Sequence, residues 1–487
     1  MSTLILAVYY ATLGVLALYG VHRMVLVVGW WQARRRSETA PEPPAEWPVV
    51  TVQLPIFNER YVAHRLIEAV ANLDYPRDRL EIQVLDDSID DTRELVAKQV
   101  AELRAEGVDI HHLHREDRSG FKAGALAAGL TSAAGDLLAV FDADFVPQRD
   151  FLRAVVPHFG DPDVGMVQAR WGHLNRDYSL LTRVQAVLLD GHFVIEHAAR
   201  HRGGCLFNFN GTAGIWRRQA IVDAGGWAHD TLTEDLDLSY RSQLAGWRFV
   251  YLPNLVVPAE LPAEINAYKS QQHRWAKGSI QCGRKLLGRV LRSSLGWRAK
   301  LEAFVHLTAN LSYPLMLLLS LLIFPAMLLR HGDDDLRVAL LVDLPLFAAA
   351  TLSVLVFFTA SQVGVTLWRR LWRLPALMGI GIGLSVNNST AVLSGLIQDG
   401  GIFHRTPKYC IEGRAGDWSG KAYRLPKNLS LYLESVLAVY FVICFAAAIH
   451  LRMWLALPFL WLFLQGYSYM ALLGLAPHLG RRAPATT

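Results

Sequence analysis

The chain has 487 residues, 52% of them hydrophobic and only 19% charged, with a mean hydropathy of +0.22. That balance excludes intrinsic disorder and fits poorly with a wholly soluble protein. A net charge of +5, with no Lys/Arg-rich run interleaved with aromatics, argues against a nucleic-acid partner, and four cysteines without metal spacing argue against a disulfide framework or a zinc site.

In chain order, Leu4–Trp31 is the first apolar run longer than the ~20 residues that span a bilayer, interrupted only by His22 and Arg23. It has no basic leader and no small-residue cleavage site, so it reads as a spanning helix rather than a signal peptide. Residues 32–300 carry most of the charge and alternate like a soluble α/β domain. Val49–Pro55 predicts a strand ending near Asn58-Glu59, then a helix to about Leu73. Glu81–Leu85 predicts a second strand closed by Asp86-Asp87-Ser88, Asp90–Ala105 a helix, and Asp136–Phe141 a third strand ending in Asp142-Ala143-Asp144. Strands alternating with helices predict a mostly parallel sheet, whose ligands bind beyond the carboxyl ends of its strands.

Two of these strands end in paired carboxylates, as a nucleotide and metal site requires. A bare D-x-D is also a common loop start. After a buried apolar run, however, Asp142 and Asp144 need compensation, and a hard divalent cation bound to phosphates supplies it. Lys122, in Gly120–Gly124, either lends charge to the same phosphates or is a solvated side chain. Thr233-Glu234-Asp235 begins a helix running to about Arg241; either these residues serve the site, or Thr233 is an ordinary N-cap with Glu234 and Asp235 favourable at the helix start. Farther on, Arg274-Trp275, following Gln271, offers a phosphate clamp beside a flat apolar face. His273 reads as an ordinary polar side chain.

Beyond the soluble part, Ala303–Leu329, Val342–Leu367, Leu429–His450 and Met453–Ala476 are further spanning candidates, and Leu374–Ile397 is ambiguous because of Asn387, Asn388, Ser389 and Thr390. Positive charge marks the cytoplasmic side. Arg34-Arg35-Arg36 puts the soluble domain inside and the N-terminus outside, and Asp333–Asp335 falls in an external loop. Residues 369–427, with nine Lys/Arg against three Asp/Glu, lie inside, as does the C-terminus with Arg481 and Arg482. An outside start and an inside end require an odd number of spans. Five result if 374–397 is an interfacial or re-entrant helix.

Asp86-Asp87, Asp142-x-Asp144, Thr233-Glu234-Asp235 and Gln271-x-x-Arg274-Trp275 together resemble the D, D-x-D, T-E-D and Q-x-x-R-W series of processive family-2 glycosyltransferases, which cellulose, hyaluronan and chitin synthases share. Ala259-Glu260-Leu261-Pro262 and the run Gln271–Gly278 are most similar to the cellulose synthase-like mannan and xyloglucan-backbone synthases. Phe403–Lys408 resembles the F-x-V-T-x-K gating loop of cellulose synthases, with Arg405 in place of valine.

The resemblance implies a GT-A-type (Rossmann-like) α/β domain inserted in an α-helical membrane domain. Its expected limits are 1–33 for the N-terminal helix, 34–290 for the catalytic domain, and 291–487 for interfacial helices, a gating loop at 400–409 and about four spans forming a channel. No cyclic-nucleotide-sensing domain is expected after the last span.

The same resemblance implies a processive inverting enzyme of the plasma (inner) membrane. In it Asp235 is the base, with Thr233 and Glu234 beside it. Asp142 and Asp144 hold Mg²⁺ or Mn²⁺. Asp87, Lys122, Gln271, Arg274, Thr406 and Lys408 bind the nucleotide sugar, and Trp275 stacks on the acceptor, a growing glycan. The expected product is a β-glucan from UDP-glucose, with mannan or glucomannan from GDP-mannose second. A lipid glycosyltransferase resembling ceramide glucosyltransferase and a transporter with a nucleotide-binding domain are the rival readings. Product length separates the first, and turnover of nucleotide sugar the second.

Overall fold

A computed structural model of the chain describes residues 2–34, 41–331, 336–403, 405–416 and 430–479. Arg35, Arg36, Asp333–Asp335, His404, Arg481 and Arg482, on which parts of the charge argument and the gating loop rest, lie outside the described residues.

Seven strands form one sheet: β1 (Val50–Ile56), β2 (Leu80–Asp86), β3 (Ile110–His114), β4 (Leu137–Val140), β5 (Val164–His173), β6 (Gly214–Arg217) and β7 (Arg248–Ala259). Their order is β3-β2-β1-β4-β6-β5-β7. β1 pairs in parallel with β2 and β4, β2 with β3, and β5 with β7, while β6 runs antiparallel to β4 and β5. The three expected strands are present close to their expected limits. They are buried on both faces and so read as near-continuous apolar runs. Because β6 reverses direction against both neighbours, β5 and β7 run the same way as β1. All strands except β6 therefore deliver their carboxyl ends to one edge.

Helices close both faces. Leu66, Ile67 and Val70 of the helix Ala63–Ala71 pack in one core with Val52, Ile82 and Ala139. Leu126 of the helix Phe121–Ser132 packs in the other with Phe209, Trp216 and Tyr251. The domain has the expected GT-A-type architecture.

Among the described residues, six helices are long and apolar enough to cross a membrane: Ser2–Ala33, Trp297–Arg330, Leu340–Ser361, Leu367–Ile397, Ser430–His450 and Leu457–Leu475. Leu367–Ile397, ambiguous by sequence, is one unbroken 31-residue helix. It begins earlier than expected because Arg369, Arg370 and Arg373 interrupt its hydropathy and not its backbone. It is also the most enclosed of the six, with 72% of its apolar window buried inside the protein.

Both of its ends meet the α/β domain. Just before it, Gln362 accepts from Arg176 at 2.9 Å and donates to Asp190 at 3.1 Å. Just after it, the Gly400 N–H donates to the Asp230 carbonyl at 2.7 Å. Between them it lies against the 28-residue helix Ile265–Arg292, where Asn387 donates to the Lys269 carbonyl at 2.9 Å. That helix is continuous past 290, the expected domain limit.

Candidate active site

The strand ends supply the first residues. β2 hands Asp87 to the edge of the sheet, where Arg115 grips its carboxylate in a fork, Nε to Oδ1 at 2.8 Å and a terminal nitrogen to Oδ2 at 2.6 Å. The turn after β4 carries Asp142 and Asp144, and β7 ends beside Glu260. Lys122, in the first turn of the helix Phe121–Ser132, reaches Asp142 Oδ1 at 2.5 Å and the Gly211 carbonyl at 2.8 Å. Burial alone would lower this ammonium, but Asp142, Glu234 and Asp235 hold it above its ordinary value. The solvated alternative for Lys122 therefore does not hold.

Thr233 sits at the N-cap position of the helix Glu234–Leu244, yet its side chain makes no capping hydrogen bond. Its hydroxyl lies 3.4 Å from Cys282 Sγ instead, which corrects the capping expectation. The cause is close packing by the helix Ile265–Arg292: a Cβ on Gly278 would stand 2.6 Å from Thr233 Cγ2 and 2.8 Å from its backbone nitrogen. Gly278→Ala must therefore push the Thr233–Asp235 segment aside. Turnover is expected to fall by about 10²-fold, the scale of a 1 Å misplacement, while nucleotide affinity measured by calorimetry stays near wild type.

Asp235 follows in the first helical turn, its Oδ1 accepting from the Leu236 N–H at 2.8 Å. Burial first, and then the neighbouring Glu234, push its carboxyl up to about 7, against the pull of Lys122. Gly211, at φ +80°, faces it, and a Cβ there would lie 3.1 Å from Asp235 Oδ2. The first turns of the helix Ile265–Arg292 add Gln271, Arg274 and Trp275, with the Trp275 ring 6.5 Å from Trp171 at the end of β5.

The chain after the helix Leu367–Ile397 lines the remaining side of the cavity with Phe403, Arg405, Thr406 and Lys408. Gly400 and Gly401 both take positive φ, +58° and +145°, where side chains are strained. The Phe403 ring lies against Phe121 at 6.1 Å, and the Arg274 guanidinium stands 4.2 Å over it. Arg405, the departure from the gating motif, pairs with Glu59 at 2.5 Å. Burial raises the Glu59 carboxyl to about 7 despite that arginine. Lys408 Nζ meets Asp144 Oδ2 at 2.5 Å and also donates to the Glu260 carbonyl. The Glu260 carboxylate accepts the Tyr409 and Cys410 N–H groups, each at 2.8 Å.

Asp87, Lys122, Asp142, Asp144, Thr233, Glu234, Asp235, Gln271, Arg274, Trp275, Thr406 and Lys408 all line one cavity of about 160 Å³. The fold thus brings together all twelve residues assigned a role in the site by sequence, while Asp86 of the first motif lies outside the cavity. Glu59, Arg118, Asn210, Glu260 and Arg405 line it too and carried no assigned role. Glu260 stood within the quoted Ala259–Pro262 stretch; Arg118 and Asn210 had no local signal. Two carboxylates, each balanced by an ammonium inside one cavity, present the hard oxygen donors that Mg²⁺ or Mn²⁺ takes. The donor set fits a divalent cation.

Residues 48–278 match the family described as "Glycosyltransferase like family 2". The chain is 44% identical over 254 residues to glucomannan 4-beta-mannosyltransferase 2 of Arabidopsis thaliana, covering 51% of this chain and 48% of that protein. Over 252 residues it is equally similar to glucomannan 4-beta-mannosyltransferase 1 of Oryza sativa subsp. japonica, again covering 51% and 48%. The chain spans about half the length of the curated relatives it matches. Among solved structures, the mannosyltransferase PcManGT from Pyrobaculum calidifontis, in complex with GDP-Man and Mn²⁺, aligns at 22% identity with a TM-score of 0.49, over 74% of this chain and 99% of that one.

Proposed function

This chain carries a glycosyltransferase family 2 domain, and we propose that it is a membrane-bound, processive, inverting synthase of a β-linked mannan or glucomannan using GDP-mannose. The observation that carries the reaction is the single cavity in which Asp235, the Asp142/Asp144 pair and Arg274 meet. The sugar rests on the 44% identity to two glucomannan 4-beta-mannosyltransferases. That similarity favours GDP-mannose over UDP-glucose, the donor expected from sequence alone.

In this reading the acceptor hydroxyl oxygen attacks C1 of the donor sugar, and the bond from C1 to the diphosphate oxygen breaks. Asp235 takes the hydroxyl proton, and GDP leaves from the opposite face, so an α-linked donor yields a β-linked product. Asp142 and Asp144 would hold the divalent cation, which neutralises charge on the leaving diphosphate. Arg274, Lys122 and Lys408 add fixed positive charge to the same region. Asp87, with Arg115 and Arg118 beside it, faces the nucleoside, and Trp275 with Trp171 forms an aromatic floor for the acceptor.

A helix with both ends on the α/β domain lies along the membrane face rather than across it, so Leu367–Ile397 is interfacial and five helices span. With the domain cytoplasmic, the polymer leaves between the spans. The fully buried Lys269–Glu434 pair, at 2.5 Å, supplies polar groups among those helices. Residues 400–409 act as a lid that closes on nucleotide. Lys408→Ala is expected to lower turnover strongly, because it removes the cation that reaches Asp144 from the lid.

The test is incubation of the purified full chain with GDP-mannose, UDP-glucose or UDP-N-acetylglucosamine plus Mg²⁺ or Mn²⁺, followed by product sizing and digestion with linkage-specific hydrolases. A long, β-mannanase-sensitive product from GDP-mannose is expected. Turnover of UDP-glucose alone would overturn the donor, and a product one sugar long on a lipid would overturn processivity.

A further inference from the structure

The edge of the sheet holds a second cluster of metal-ligating side chains. The parallel register sets Asp86, the last residue of β2, opposite His114, and Val84 opposite His112. Residues two apart on a strand share a face, so both imidazoles stand on the side to which Asp86 points. Asp86 Oδ2 lies 2.9 Å from His112 Nε2 and 3.8 Å from His114 Nδ1, and all three atoms fall within 4.8 Å of one another.

The carboxylate is wholly buried, and its other oxygen accepts the Ser88 N–H at 2.8 Å, which fixes Oδ2 toward the histidines. His114 Nδ1 is buried and has no hydrogen-bond partner among the described residues. An imidazole nitrogen without a hydrogen-bond partner thus stands beside a buried carboxylate and a second imidazole.

We propose that Asp86, His112 and His114 form a transition-metal site of the Zn²⁺ class, separate from the Asp142/Asp144 pair. One carboxylate oxygen and two imidazole nitrogens, with water as the fourth ligand, suit tetrahedral Zn²⁺ at about 2.0–2.2 Å per ligand. The same set is a poor match for Mg²⁺, which prefers oxygen. The cysteine pattern argued against a zinc site, but it bears only on thiolate ligands, and this site needs none. None of the three residues lines the large cavity, although Leu85 and Asp87 on either side of Asp86 do. A metal here fastens the edge strand β3 to β2 one residue before Arg115, whose guanidinium holds Asp87.

The experiment uses the untagged full chain in excess Mg²⁺, which occupies oxygen-only sites, titrated with Co²⁺ or Zn²⁺. The readouts are bound metal after dialysis and the visible absorption band of Co²⁺. One Mg²⁺-resistant equivalent is expected in the wild type and in Asp144→Asn and His111→Ala. His114→Ala, which removes a nitrogen without a partner and so disturbs little else, should weaken it by about tenfold or more; His112→Gln should do the same. Absence of Mg²⁺-resistant binding in the wild type, loss of it in Asp144→Asn, or a smaller change in His114→Ala would overturn the site.

Discussion

Asp235→Asn slows sugar transfer by about 10²–10⁴-fold, the usual contribution of a positioned base, and leaves donor affinity near wild type. The asparagine keeps the shape that fits against Gly211 and can still accept from the Leu236 N–H, so the loss falls on proton removal alone. Burial and Glu234 raise this carboxyl to about 7. A base works deprotonated, so wild-type transfer falls as pH drops through the neutral range, and the mutant's residual rate loses that limb. Single-turnover kinetics from pH 5 to 9, with donor binding measured by calorimetry, separate the two effects. A rate loss below tenfold would mean that Asp235 only supports the start of its helix.

Asp144→Asn eliminates detectable transfer and also loosens the lid. The residue has two tasks at one carboxylate: it is half of the oxygen pair suited to a divalent cation, and it is the partner of Lys408. Breaking a buried ion pair by removing one partner typically costs about 3–5 kcal/mol. If the segment after Gly400-Gly401 is the proposed lid, the stranded ammonium sits on it, and the expected effect is lid opening rather than unfolding. Hydrogen exchange should rise in residues 401–409 and stay unchanged in β1, β2 and β4. Excess chelator should abolish wild-type transfer. Transfer that survives either treatment would count against metal-assisted departure of the diphosphate.

The chemistry was more legible than the framework that holds it. β1, β2 and β4 declare themselves because each is a short apolar run stopped by carboxylates or polar turn residues. β5 does not: its inner half is apolar, but Gln168, Arg170 and Trp171 serve the site and its surroundings, and the strand shifts register against β7 between Ala169 and Arg170. β7 carries Pro253 and Asn254 in mid-run, and β6 is only four residues long. The twelve candidate side chains were readable because their motifs are local. Glu59, Arg118 and Asn210 were not, since each becomes part of the cavity only through distant packing. Thr233 shows the opposite failure. Its local pattern is that of a cap, and a glycine on another helix decides otherwise.

The helix Leu367–Ile397, anchored to the α/β domain at both ends and laid along Ile265–Arg292, also sets how the molecule can be divided. Gln271, Arg274 and Trp275 stand on a rod whose opposite side is upholstered by chain that arrives a hundred residues later. A scissor cut near 290 would strip that covering from Ile280 and the carbonyls of Lys269 and Lys277, and would carry off Thr406 and Lys408 as well. A fragment ending there is expected to leave an apolar seam open, one that the full chain seals only when the later helices are made.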